Sequence, residues 1–265
     1  MDAPVPDAAA PALAAPAALP APPPPQPLSS LGAWTALDLL VAATIAVGIG
    51  FAAALALGAA AQTGWALGAP MAALGGLPAL LVPLSLIGSP LAGIALWAMH
   101  RRRLPAAPRP WSAALAFAVV AVALALQGAA VGFTALMQQV GTSAEGRNLA
   151  IIADAYAAAP AFTLLMTVLL APLGEELVFR RVLLHRFAQA RRPWLGLAVT
   201  SLAFALIHEP LPGGRPLLAW ALTLAAYASL GLGFGLLYLR SGRLDAALLA
   251  HVIVNAVGMA LLLAR

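Results

Sequence analysis

The residues of this 265-residue chain with the widest chemical repertoire fall at three places: Glu175, Glu176 and Arg180; His208; and His251 with Asn255. Glu176 and Arg180 are four apart, one helical turn along a common face, with the acid on the N-terminal side, the favourable order for an ion pair. Such a pair partly neutralises the arginine and leaves Glu175, about 100° round the helix, for other work. His251 and Asn255 share the same spacing and so the same face. Together these side chains suit two kinds of chemistry. In one, a carboxylate deprotonates a water and N–H donors receive a developing oxyanion. In the other, Glu175, His208 and His251 ligate a catalytic zinc with one position open for water. Neither His-x-x-x-His nor His-Glu-x-x-His occurs, so zinc ligands would have to converge from three separate elements.

Each piece also has an ordinary structural explanation. A buried Glu–Arg pair serves as packing glue, a histidine at a helix end sits at an interface, and His-x-x-x-Asn makes interhelical hydrogen bonds. The conjunction carries the functional reading, and it depends on which elements hold the residues.

Those elements are set by composition. Hydrophobic residues make up 63% of the chain and charged residues 9%, with a mean hydropathy of +0.95. A soluble domain carries roughly 25% charged residues to cover its surface; here the outer surface must be apolar, and lipid is the solvent that tolerates it. Cysteine is absent, which excludes a disulfide framework and thiolate chemistry. Every basic residue is Arg, and with the abundant Ala and Pro this suggests a GC-rich, bacterial genome.

Residues 1–30 are Ala- and Pro-rich, and Pro22 to Pro25 favour an extended polyproline segment, so a disordered tail is predicted there. A secretory signal is excluded because no basic n-region precedes an apolar run. Beyond the tail the fold class is all-α, a polytopic transmembrane helix bundle. Seven apolar runs, at about 34–61, 75–99, 112–138, 160–187, 194–208, 216–239 and 244–264, each approach the ~20 residues that cross a bilayer. Pro83 and Pro90 are expected to kink the second. Residues 31–159 form an N-terminal group of helices and 160–265 a catalytic core.

The arginines set the orientation. Arg101, Arg102, Arg103, Arg109, Arg181, Arg186, Arg191, Arg192, Arg240 and Arg243 all fall on one side of a seven-span arrangement. By the positive-inside rule that side, and the N-terminus with it, is cytoplasmic. The net charge of +5 is therefore an orientation signal and not a nucleic-acid footprint. The location that follows is a cell membrane, crossed several times, with the lipid bilayer and a membrane-borne protein or peptide as partners.

Ionisable residues inside such spans cost several kcal/mol each, so they mark function by default. Rise per residue puts Glu175 roughly 10–15 Å, His251 about 10 Å and Asn255 about 16 Å from the basic ends of their spans, near enough to meet. Asp38 lacks an evident partner and reads as an interfacial or capping residue. His100 and His185 flank arginines and read as solvated.

The motifs Glu175-Glu176-Leu177-Val178-Phe179-Arg180, Phe204-Ala205-Leu206-Ile207-His208 and His251-Val252-Ile253-Val254-Asn255 resemble the three signatures of the CaaX protease and bacteriocin-processing (CPBP, or Abi) family. Pro172 before the first motif, and the glycine-rich stretch from Gly231 through Gly233 and Gly235 to Tyr238, Ser241 and Gly242, resemble the family context. The likeness covers about residues 160–260. Arg181 departs from it, standing where many members carry Gly, and the first three spans carry no family signature.

The resemblance implies an intramembrane endopeptidase. A carboxylate withdrawn from water is a stronger base, which suits proton abstraction near neutral pH. Glu175 and His208 would then activate water, and His251 and Asn255 would hold the oxyanion. Glu176 would orient the site through Arg180, with Phe204 packed beneath His208. Family precedent also allows zinc. Two further readings belong to other classes: a transporter or proton relay using the same buried charges, and a non-catalytic scaffold such as an immunity factor. No repeat between the chain halves supports the first, and intact motifs disfavour the second.

Overall fold

The computed structural model describes residues 27–62, 86–100, 109–139, 147–212 and 214–264. The tail expected over residues 1–30 lies outside them up to residue 26, and the chain is already helical from Leu28. Among the described residues every regular element is helical: α1 (Leu28–Gln62), α2 (Gly88–His100), α3 (Ala113–Gln139), α4 (Arg147–Ala158), α5 (Pro160–Gln189), α6 (Pro193–His208), α7 (Leu217–Ser241) and α8 (Leu244–Leu263). The all-α membrane bundle read from composition is what the chain forms.

Among the described residues five segments are long and apolar enough to cross a membrane: Leu28–Ile49, Ala113–Gln139, Pro160–Gln189, Leu217–Ser241 and Leu244–Leu263. Of the expected second span, residues 75–85 and Pro83 lie outside the described residues. The rest is α2, where Pro90 stands in the first turn and kinks nothing, because the N–H it lacks is one that no first-turn residue pairs. The expected fifth span is α6, only 16 residues or ~24 Å long. An apolar helix that the sequence reading did not anticipate, α4, precedes α5.

Helix ends follow local chemistry. Pro160 and Pro193 open α5 and α6, and Gly242 closes α7 in the left-handed conformation (φ 68°) that glycine adopts without strain. Helix α5 is irregular. Its hydrogen bonding widens to i→i+5 at Met166–Leu170, with Ala171 N–H donating to Met166 O, and again at Leu177–Leu184. Pro172, with no N–H and a ring that crowds the turn behind it, accounts for the first widening. The two π stretches flank the glutamates.

Helix α5 is central, packed against α2, α6 and α8; α3 lies across α7 and α8, and α1 lies against α2. The α2–α5 crossing is a backbone contact. A Cβ added at Gly93 would overlap the backbone of Gly174, and one at Gly174 would overlap Pro90 and Ser89. Helices α6 and α7 meet in the same manner where Gly231 abuts Ser201.

Contacts at one end of the bundle bring the basic segments together. Asp38 of α1 accepts from Arg186 Nη2 of α5 and lies 3.0 Å from His100 Nε2 of α2. Tyr238 of α7 meets His185 Nδ1 of α5 at 3.0 Å. Arg243, just before α8, donates to the Arg109 carbonyl just before α3 at 2.7 Å. Leu31, in the first turn of α1, is buried with Phe187 and Ala190. Helices α1, α2, α3, α5, α6, α7 and α8 therefore alternate in direction, which is the alternation a seven-span reading requires, with α2 and α6 as the short members. These contacts correct the readings of Asp38, His100 and His185. None is a free interfacial group; each ties the end of one helix to another.

Candidate active site

The three motifs meet in the interior of the bundle, where α5, α6 and α8 pass one another. Glu176 and Arg180 are fully buried, with Arg180 Nε 3.1 Å from Glu176 Oε2. The guanidinium lies among three rings, 5.3 Å from the Phe204 centroid, 5.8 Å from Phe234 and 5.9 Å from Phe179. An arginine this far from water is held by its carboxylate partner and by the negative faces of those rings.

The other Glu176 oxygen, Oε1, lies 3.0 Å from Nδ1 of His251. Glu176 therefore spans two partners, Arg180 one turn along its own helix and His251 on α8. The His251 ring stacks on Phe234 at 4.4 Å. Its far nitrogen, Nε2, faces Glu175 Oε2 at 3.7 Å.

His208 reaches the same carboxylate oxygen from α6, with Nε2 3.9 Å from Glu175 Oε2. Its Nδ1 lies 2.8 Å from the Phe204 carbonyl. A carbonyl only accepts, so Nδ1 carries a hydrogen, and in the neutral form of the ring Nε2 presents a lone pair towards Glu175. The ring is held on both sides, by Phe204 at 4.5 Å and by Tyr227 stacked at 4.6 Å. Phe204 thus lies against His208 as the motif reading expected, and edge-on to Phe179 as well.

Separations of 3.7 and 3.9 Å are too long for direct hydrogen bonds but let one water touch Glu175 and either imidazole. Glu175, His208 and Asn255 are the partly exposed members, whereas Glu176, Arg180 and Phe204 are enclosed. Asn255 donates from Nδ2 to the Thr167 carbonyl at 2.8 Å, inside the first π stretch of α5. One amide hydrogen is thereby engaged and the other is left for a further acceptor.

The structure brings together Glu175, Glu176, Arg180, Phe204, His208 and His251, and it sets Asn255 one turn along α8. Tyr227, Phe234 and Phe179 were missed, although they frame the ionisable groups. Phe234, within the Gly-x-Gly-Phe-Gly run from Gly231 to Gly235, stood in the one stretch where a clue was available. The donor set for zinc is Glu175, His208 and His251, but among the described residues no three such side chains are grouped as a metal site.

An all-α, multi-pass membrane bundle with carboxylates and imidazoles gathered in its interior defines the class of protein. Residues 157–257, the stretch that holds every motif residue, match the family model of the type II CAAX prenyl endopeptidase Rce1-like proteins and are similar to that family. The match supports a CAAX-type intramembrane endopeptidase. Neither curated proteins nor solved structures gave a match.

Proposed function

We propose that this protein hydrolyses a peptide bond near a terminus or membrane segment of a protein or peptide substrate, using water activated by Glu175 and His208. The observation that supports this most is the approach of two imidazole Nε2 atoms, from different helices, to within 3.9 Å of one carboxylate oxygen. Glu175 takes a proton as the water oxygen bonds to the scissile carbonyl carbon, and the carbonyl electron pair moves to oxygen. His251 Nε2 and the second Asn255 amide hydrogen donate to that oxyanion. For His251 to donate from Nε2 while Nδ1 donates to Glu176, the ring must carry both protons, and Glu175 and Glu176 together offset its charge and that of Arg180. The abstracted proton passes to the leaving nitrogen, the C–N bond breaks, and an acid and an amine remain.

The basic end of the bundle faces the cytoplasm of a bacterial cell on this reading. The substrate carries a leader peptide, a C-terminal membrane-sorting signal or, least naturally in a bacterial cell, a prenylated C-terminal motif. No step here is routed through a metal; were zinc bound, Glu175, His208 and His251 would hold it and it would polarise the water.

The test is cleavage of candidate peptides by the full chain in lipid vesicles, compared with Glu175→Ala and His208→Ala. Cleavage that survives both changes sinks the assignment. Inhibition by a chelator that added zinc reverses would replace the glutamate mechanism with a metal one. Proton flux without cleavage would favour the relay. Terminal proteomics of membranes lacking the protein would identify the substrate as one retaining an extra segment.

A further inference from the structure

Most buried hydroxyls in these helices follow one pattern; Thr163 and Thr167 of α5, and Ser201 of α6, do not. Thr35, Thr200 and Thr223 each donate to the carbonyl four residues back, at 2.8 to 2.9 Å. That bond is the usual way for a threonine to satisfy itself in an apolar helix. Thr163 and Thr167, one turn apart on α5, are also buried, yet neither hydroxyl has a hydrogen-bond partner among the described residues. A buried hydroxyl left unpaired is destabilising, and a polar group in that position is ordinarily met by water.

Their placement relates them to the site. The Thr167 carbonyl accepts from Asn255. One turn back along α8 from Asn255 is His251, whose Nε2 faces Glu175. Thr163 and Thr167 on α5, linked through the Thr167 carbonyl to Asn255 and along α8 to His251, thus lead from the N-terminal end of α5 towards the carboxylate of Glu175. Hydrolysis at this depth consumes one water per turnover, and the surrounding lipid supplies none.

We propose that Thr163 and Thr167 bind water, which passes by this route to Glu175. The proposal rests on the reading of Glu175 as the base. Valine matches threonine in shape and lacks the hydroxyl; serine keeps the hydroxyl. Replacing both threonines by valine should lower kcat about tenfold with KM within twofold, whereas replacing both by serine should restore most of it. Equal kcat in wild type and the valine variant overturns the proposal, as does a serine variant as impaired as the valine one.

Occupancy is read separately, in Glu175→Gln, by cryo-electron microscopy of the full chain in nanodiscs at a resolution that shows water. Density within hydrogen-bond distance of both hydroxyls is expected. Hydroxyls turned onto the Ala159 and Thr163 carbonyls, with no such density, overturn the water site whatever the protease result. If cleavage survives Glu175→Gln while the water density is present, the catalytic reading fails and the binding site stands.

Discussion

Nδ1 of His251 and Oε1 of Glu176 lie 3.0 Å apart on neighbouring helices, and this pairing decides which nitrogen of the ring faces Glu175. Glu176 also meets Arg180, so a single carboxylate sets the tilt of the imidazole and shares in balancing its charge.

The first prediction follows from that division. Glu176→Gln keeps an oxygen that can accept from Nδ1 but removes one of the negative charges that offset a doubly protonated ring. It should lower kcat by roughly 10²-fold with little change in KM, the pattern for an interaction made in the transition state. Steady-state kinetics on a cleaved peptide checks it. An equal rise in KM with kcat intact would make Glu176 a substrate-binding residue.

Gly174 precedes the catalytic glutamate because α2 touches α5 there through backbone atoms. Gly174→Ala has no flexible neighbour to push aside. It should destabilise the bundle by about 1–3 kcal/mol and shift Glu175 away from His208. Thermal unfolding in detergent should show a lowered Tm, and the folded fraction should have reduced kcat.

Asp38 joins Arg186 and His100 at the basic end of the bundle, outside the three motifs. Asp38→Ala leaves Arg186 without its carboxylate in a largely buried place, a change that costs about 3–5 kcal/mol when a buried pair is broken. A lower Tm is expected with near-normal cleavage per folded molecule. Asp38→Asn, which still accepts hydrogen bonds, should lose less stability. Loss of cleavage at an unchanged Tm would instead give Asp38 a part in the reaction.

The site was legible where spacing on a regular helix applied. Glu176 with Arg180 follows from the four-residue interval alone, and the nearness of Glu175 and His251 follows from depth within spans, whereas the depth of His208 depended on where its short span began. What spacing did not reveal came from tertiary contact. Asp38 has no partner within its own helix; its partners are 62 and 148 positions away. The first π stretch of α5 arises from Pro172, whose presence was plain but whose effect on hydrogen-bond register is a property of the folded helix. Tyr227 and Phe234 look like any aromatic residues of an apolar run until the imidazoles are seen to stack on them. Span counting succeeded for helices of 20 residues or more. It was weakest for α6, where packing on α5 and α7 supports a helix too short to satisfy a length rule.

The most direct measurement of the central claim is kcat for Glu175→Gln, a change that preserves shape and hydrogen bonding while removing the base. With the full chain in vesicles and a Tm matching wild type, kcat should fall by ~10³-fold or more while KM stays within a few fold. A glutamine variant that cleaves within tenfold of wild type would contradict the account, because the water would then be activated by some other group.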